Sequence, residues 1–350
     1  MRVGSGTRVD DGGGETVVWP FRKKQAAAAS GAPASTAPPI DKAKGDPGAA
    51  RLRAALAQRD WVTARDFLDS VGHPDDRAFY LGVCADVEGV QDWIGDWIAA
   101  EPHSTLPMLV RGCHGVYWAW EARGGATAEH TSQSQFKGFF DRLRMAENCL
   151  DEVVDREPDD TTAWTFLVTA ARGRQVGREE AMRRFAQVVA RHPTHQTAHQ
   201  QMLQYLCKKW FGSTEEMFDF ARTAAAKAPA GSLLHELVVV AHIEHWLGLP
   251  SEEKDPYIMS PAVRAELRAA AEQSIWHPEH RRRPGWPSPY NSFALAFSFA
   301  EDYPAAAAVF DAIGDNVTEW PWYYSSGSDP AGRFATWRDI AFAQRHEQPR

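Results

Sequence analysis

The chain has 350 residues, 44% of them hydrophobic, with 14 Trp and a formal net charge of −8. Residues 1–50 carry 7 basic and 5 acidic side chains (7 − 5 = +2) and the remainder 31 and 41 (31 − 41 = −10), a balance that argues against direct nucleic-acid binding through clustered Lys and Arg. No run approaches the ~18 apolar residues of a membrane span, and the N-terminus lacks the apolar core of a secretory signal, so no membrane partner is expected and the cytoplasm is the expected location.

Residues 1–50 read as a disordered, low-complexity tail with Asp11-Gly12-Gly13-Gly14, Ala26–Ala29 and the Pro-bearing stretch 32–39. Such composition buries too little apolar surface to offset the entropy of ordering. One island, Val17-Val18-Trp19-Pro20-Phe21-Arg22-Lys23-Lys24, interrupts it and has the look of a short docking motif or a chance cluster. From Arg51 to about 345 the pattern is helical, and this stretch is read as one domain. A helix is predicted over roughly 105–122, with Leu109, Cys113, Val116 and Trp120 as its apolar stripe. Residues 123–134 follow as a Gly-bearing insertion. Glu157-Pro158-Asp159-Asp160, His192-Pro193-Thr194 and Ala228-Pro229-Ala230-Gly231-Ser232 are turns that close one helix and open the next, the last with Ser232 as N-cap. Residues 248–261 and 277–289 read as long loops, Trp320–Tyr324 as aromatic packing at one end, and Asp329-Pro330 as the start of a last helix reaching Gln344. The four cysteines (84, 113, 149 and 207) fall in predicted helices, form no Cys-x-x-Cys pair, and are expected to be buried thiols.

A period runs through the middle of the chain. Ala146, Leu150, Val153 and Pro158 are spaced by 4, 3 and 5, as are Ala181, Phe185, Val188 and Pro193, and Met217, Ala221, Ala224 and Pro229. Echoes without the proline occur at Ala64-Leu68-Val71 and Ala306-Phe310-Ile313. Trp164, His199 and His235 each lie 6 residues after one of the prolines. These residues resemble the tetratricopeptide repeat, a unit of about 34 residues made of two antiparallel helices. The resemblance is clearest over 105–247 and implies an all-α fold, a TPR-like right-handed solenoid of stacked antiparallel helix pairs. Trp120-Glu121-Ala122-Arg123-Gly124 and Lys209-Trp210-Phe211-Gly212-Ser213 are also similar to a bacterial family of such proteins known only as a domain of unknown function.

The expected function is a non-catalytic scaffold that holds a protein or peptide in a concave groove, as helical repeats generally do. Arg111, His114, Trp118 and Glu121 share one face of the first helix by spacings of 3, 4 and 3, and a mixed basic and aromatic face suits an anionic or peptide ligand. Thr165, Thr169, Arg172 and Glu236 extend the groove into later units. The alternative is a metal-dependent enzyme. His235, His242 and His245, with Glu236 or Glu244, lie on the predicted helix 233–247 and offer ligands for a divalent transition metal. The same histidines sit where the repeat keeps packing aromatics. His192, His195 and His199 form a second group that lacks a third ligand type nearby in sequence. The basic loop 277–287 reads as a connector or an anion clamp. No Gly-x-Ser-x-Gly, P-loop, dinucleotide-binding or calcium-loop motif is present, and no cofactor is expected from such motifs.

Overall fold

The computed structural model describes residues 37–124, 131–326 and 329–346, and every regular element among them is helical. The tail island at 17–24 and residues 125–130 of the insertion at 123–134 lie outside the described residues. In chain order the helices are α1 (Pro47–Ala57), α2 (Trp61–Asp69), α3 (Pro74–Ala85), α4 (Ile94–Ala100), α5 (Leu106–Arg123), α6 (Gln133–Arg156), α7 (Thr161–Arg174), α8 (Arg178–Arg191) and α9 (Gln196–Tyr205). They continue with α10 (Thr214–Lys227), α11 (Glu236–Leu247), α12 (Ser251–Ile258), α13 (Pro261–Gln273), α14 (Pro287–Phe299), α15 (Tyr303–Ile313), α16 (Tyr323–Ser326) and α17 (Pro330–Gln344). None is long and apolar enough to cross a membrane.

Local chemistry explains where these helices start. Asp46, Asp60, Asp160, Asp302 and Asp329 each accept the backbone N–H three residues on and satisfy a donor that has no partner inside the helix. Ser132 and Gln135 form a reciprocal capping box at the start of α6. The periodic prolines fall just past helix ends: α6 stops at Arg156 before Pro158, α8 at Arg191 before Pro193, and α10 at Lys227 before Pro229. The last helix occupies the span expected from sequence.

Four expectations need correction. The tail boundary drawn at residue 50 falls inside α1, because Asp46-Pro47 is a capped helix start and Ala43 and Ala49 are already packed in the core. The loop expected at 248–261 contains α12, whose internal Pro256 and run of charged residues hid it. Cys207 lies in the turn after α9 rather than inside a helix, although all four thiols are buried and free. The predicted helix at 233–247 begins as a single 3-10 turn over Leu233–His235 before α11.

The repeated spacing of 4, 3 and 5 has a direct packing meaning. Ala146, Leu150, Ala181, Val188 and Ala221 are fully buried, and so are Ala64, Leu68 and Ala306 of the weaker echoes. On α5, Gly112 faces Leu150 and Gly115 faces Ala146 of α6, so closely that a β-carbon would come within 2.8 and 2.9 Å of those side chains. The absent side chains let α5 and α6 interlock along their length. His199, six residues after Pro193, packs edge-on against Phe185 of the preceding helix at 4.9 Å.

Consecutive helices from α4 to α15 touch in chain order, α3 also touches α5, α7 and α9, and α7 touches α5 and α9. Glu147 of α6 binds Arg174 of α7 and Arg184 of α8 at 2.6 and 2.7 Å, and Arg184 donates to the Leu167 carbonyl. The N-terminal segment also reaches far along the chain. Lys44 donates to Ser288 at 2.8 Å, Asp76 takes a fork of bonds from Arg283 at 2.9 and 2.7 Å, and Asp75 accepts the Gln196 N–H at 2.8 Å. At the other end Trp322 sits fully buried between Phe310 and Phe334 and closes the core.

Candidate functional site

The helical spacing that put Arg111, His114 and Trp118 on one face of α5 brings all three to one surface cleft of about 320 Å³. Gln91 and Ile94 close it on one side, and Arg142, Asp141 and Met145 of α6 on the other. The Arg142 guanidinium lies 3.8 Å from the centre of the Trp118 ring and donates to the Trp118 carbonyl at 2.8 Å. It is therefore fixed over the indole, a cation–π arrangement that holds both groups in register. Among the described residues no hydrogen bond or ion pair engages Arg111, so its donors face the cleft unspent. Glu121 is exposed one turn beyond Trp118 and does not line the cleft; partial desolvation and the nearby Asp86 and Glu88 hold its carboxyl above the ordinary range.

His114 forms the floor. It is 5% exposed, with Nδ1 3.1 Å from the Ala85 carbonyl and Nε2 2.8 Å from the Gln91 side-chain amide. Both ring nitrogens face oxygens, the Ala85 carbonyl and Gln91 Oε1, and the neutral ring donates its one proton to one of them. Burial pushes the imidazole pKa down to about 4, with Arg142 acting in the same direction and the Ala85 carbonyl, Asp92 and Asp86 against it. A histidine that resists protonation only in the folded state stabilises the fold above its ordinary value of 6.5, and that contribution is lost as pH falls toward 4. The expected loss over that window is about 3 kcal/mol, at ~1.4 kcal/mol per tenfold. Denaturation midpoints measured from pH 7 to 4 should show it, and His114→Gln should flatten that slope by nearly one proton. An unchanged slope in the variant would refute the assignment.

The other residues marked in sequence are not at the surface. Thr165, Thr169, Arg172 and Glu236 are at most 5% exposed. The two threonines return their hydroxyls to carbonyls of their own helix, Thr161 and Thr165. Arg172 bonds Gln201 at 2.8 Å and lies near the Trp210 ring; burial pushes its pKa down to about 9. Glu236 ties α9, α11 and α14 together, accepting from Gln200 at 2.8 Å and from Ser292 at 2.7 Å, and burial raises its carboxyl. A polar interior, and not a solvent-filled groove, is what these four residues build.

The histidines of 235–245 do not converge. Nδ1 of His242 meets the Tyr257 hydroxyl at 2.6 Å and Nε2 meets Glu266 at 2.8 Å, so both nitrogens are engaged. His245 stacks edge-on with Tyr257 at 4.6 Å, and His235 is half-buried in the 3-10 turn. Glu244 is held by Gln204 and Lys209, each at 2.6 Å. Among the described residues no trio drawn from this group brings its ligand atoms together. Phe218 and Tyr257 pack against the rings of His242 and His245.

Sequence reading missed Arg142, the cation that completes the cleft. It lies on the following helix, 24 residues from its partner Trp118, and no spacing rule links the two. Compared with known proteins, the chain matches no family model, no curated protein and no solved structure.

Proposed function

We propose that the chain is a non-catalytic binding scaffold whose helix pairs stack in the manner of tetratricopeptide repeats, and that its partner is a protein or peptide segment presenting a carboxylate. The observation that carries this reading is the cleft between α5 and α6. There an uncommitted Arg111 lies beside a Trp118–Arg142 stack over a neutral histidine. An ionised carboxylate accepts a bidentate bond from a guanidinium, and an apolar neighbour on the same peptide covers the indole. Buried residues at the same spacing on α6, α8 and α10, Ala146 and Leu150, Ala181 and Phe185, and Met217 and Ala221, support the stacking part of the reading. The partner surface is the cleft, and the buried residues at 165, 169, 172 and 236 hold the stack together.

A peptide display library offering acidic, neutral and basic segments tests it. Acidic sequences with a neighbouring apolar residue should be enriched, and Arg111→Ala or Trp118→Ala should weaken a selected peptide at least about tenfold, the loss typical of one interface anchor. Arg222→Ala, which removes a surface ion pair to Glu266 elsewhere on the molecule, should leave binding unchanged. Enrichment without acidic bias, or affinity indifferent to Arg111 and Trp118, would sink the proposal.

A further inference from the structure

A second constellation joins parts of the chain far apart in sequence. His73 is the N-cap of α3, and Pro74 fixes the first helical residue, so that Asp75 points out of the first turn. Against that turn lies the connection between α8 and α9, which carries His192 and His195. Nε2 of His192 is 3.1 Å from Asp75 Oδ2, and the His73 and His192 rings meet edge-on with centres 5.3 Å apart. One ligand atom from each of His73, Asp75 and His192 lies within 4.8 Å of the other two, and all three side chains are partly open to solvent.

We propose that His73, Asp75 and His192 bind a divalent transition metal of the zinc class, clamping the start of α3 to the α8–α9 turn. A tetrahedral site with ligands about 2.0–2.1 Å from the ion separates them by about 3.4 Å, so only small inward side-chain movements are needed. Two imidazoles and one carboxylate are the donor set that zinc, cobalt and nickel favour, and three protein ligands leave a position for water.

The surroundings suit the role. A metal takes neutral imidazole and ionised carboxylate. Asp75 Oδ1 accepts the Gln196 N–H at 2.8 Å with His195 Nδ1 3.6 Å away, which orients the carboxylate and leaves Oδ2 toward His192. A plain Asp75–His192 hydrogen bond accounts for two of the three groups. The third, His73, is placed by its cap bond, in which Nδ1 accepts the Asp75 N–H at 3.2 Å, and this leaves Nε2 without a hydrogen bond among the described residues.

The test is titration of chelator-stripped, tag-free full-length protein with Zn2+ by calorimetry and with Co2+ by visible absorption. One equivalent should bind, and Co2+ should give the d–d bands of a low-coordinate nitrogen–oxygen site. His73→Ala, Asp75→Asn and His192→Ala should each weaken binding at least about a hundredfold, since a lost ligand costs no less than a lost outer-shell partner. His242→Ala, from the other histidine group, should bind as the parent does. Circular dichroism checks that the variants fold; should His192→Ala not fold, the half-exposed His73 and the Asp75→Asn change carry the decision alone. No binding, binding unaffected by His73→Ala and Asp75→Asn, or binding lost equally in His242→Ala would overturn the assignment.

Discussion

Replacing Trp322 with alanine is expected to destabilise the protein by about 3–5 kcal/mol, the cost of emptying a buried aromatic site that cannot collapse. The indole is fully buried, stacks on Phe310 at 5.9 Å and meets Phe334 edge-on at 5.5 Å. Its N–H also donates to Asn291 Oδ1 at 2.7 Å, while the Asn291 amide donates to the carbonyls of Pro287 and Asn316. Alanine therefore leaves both a cavity and a buried acceptor without its donor. Trp322→Phe keeps most of the volume and loses only the donor, so it should cost about 1–3 kcal/mol. Urea denaturation of the two variants beside the parent separates the terms. A loss below about 1 kcal/mol for the alanine variant would mean that the loop 314–322 moves in to fill the space.

Arg268→Ala should be nearly as damaging, and for an electrostatic reason. Asp302 is fully buried as the N-cap of α15 and takes two bonds from Arg268, each 2.6 Å. Removing the guanidinium strands a carboxylate away from water, which typically costs about 3–5 kcal/mol. Arg268 itself is 40% exposed, so water entering its place offsets part of this and the lower end, about 3 kcal/mol, is expected. Adding Asp302→Asn removes the stranded charge, and the double variant should recover about 1–2 kcal/mol of the loss. A double-mutant cycle measured by denaturation reads this directly. If Asp302→Asn makes the Arg268→Ala protein still less stable, the buried charge is not the source of the penalty.

Much of the fold was legible because the rules that set it are local. Caps such as Asp160, the prolines at 158, 193 and 229, and the buried Ala146-Leu150-Val153 spacing all act within one or two helical turns. Half of the cleft was legible for the same reason: Arg111, His114 and Trp118 share a helix face by spacing alone. What failed was the inference from polarity to exposure. Thr165, Thr169, Arg172 and Glu236 look like a wet face in sequence, yet Thr165 and Thr169 bond the carbonyls of Thr161 and Thr165, Arg172 bonds Gln201, and Glu236 bonds both Gln200 and Ser292. Periodicity tells which residues share a face; it is silent on whether that face meets water or another polar helix. The His192 group likewise lacked a carboxylate in the sequence around it, and the structure supplies one from Asp75, 117 residues away.

Those distant ties change how the chain must come together. In a stack held only by neighbouring units, each unit folds as soon as the next one emerges, and stability accrues step by step. Here Asp76 waits for Arg283, 207 residues later, and Lys44 for Ser288, 244 residues later. During synthesis at about 5–20 residues per second, the first helices leave the ribosome many seconds before their last partners exist. The nascent N-terminal segment therefore spends that interval incompletely docked, and its final seating is a late event that joins the beginning of the chain to its end.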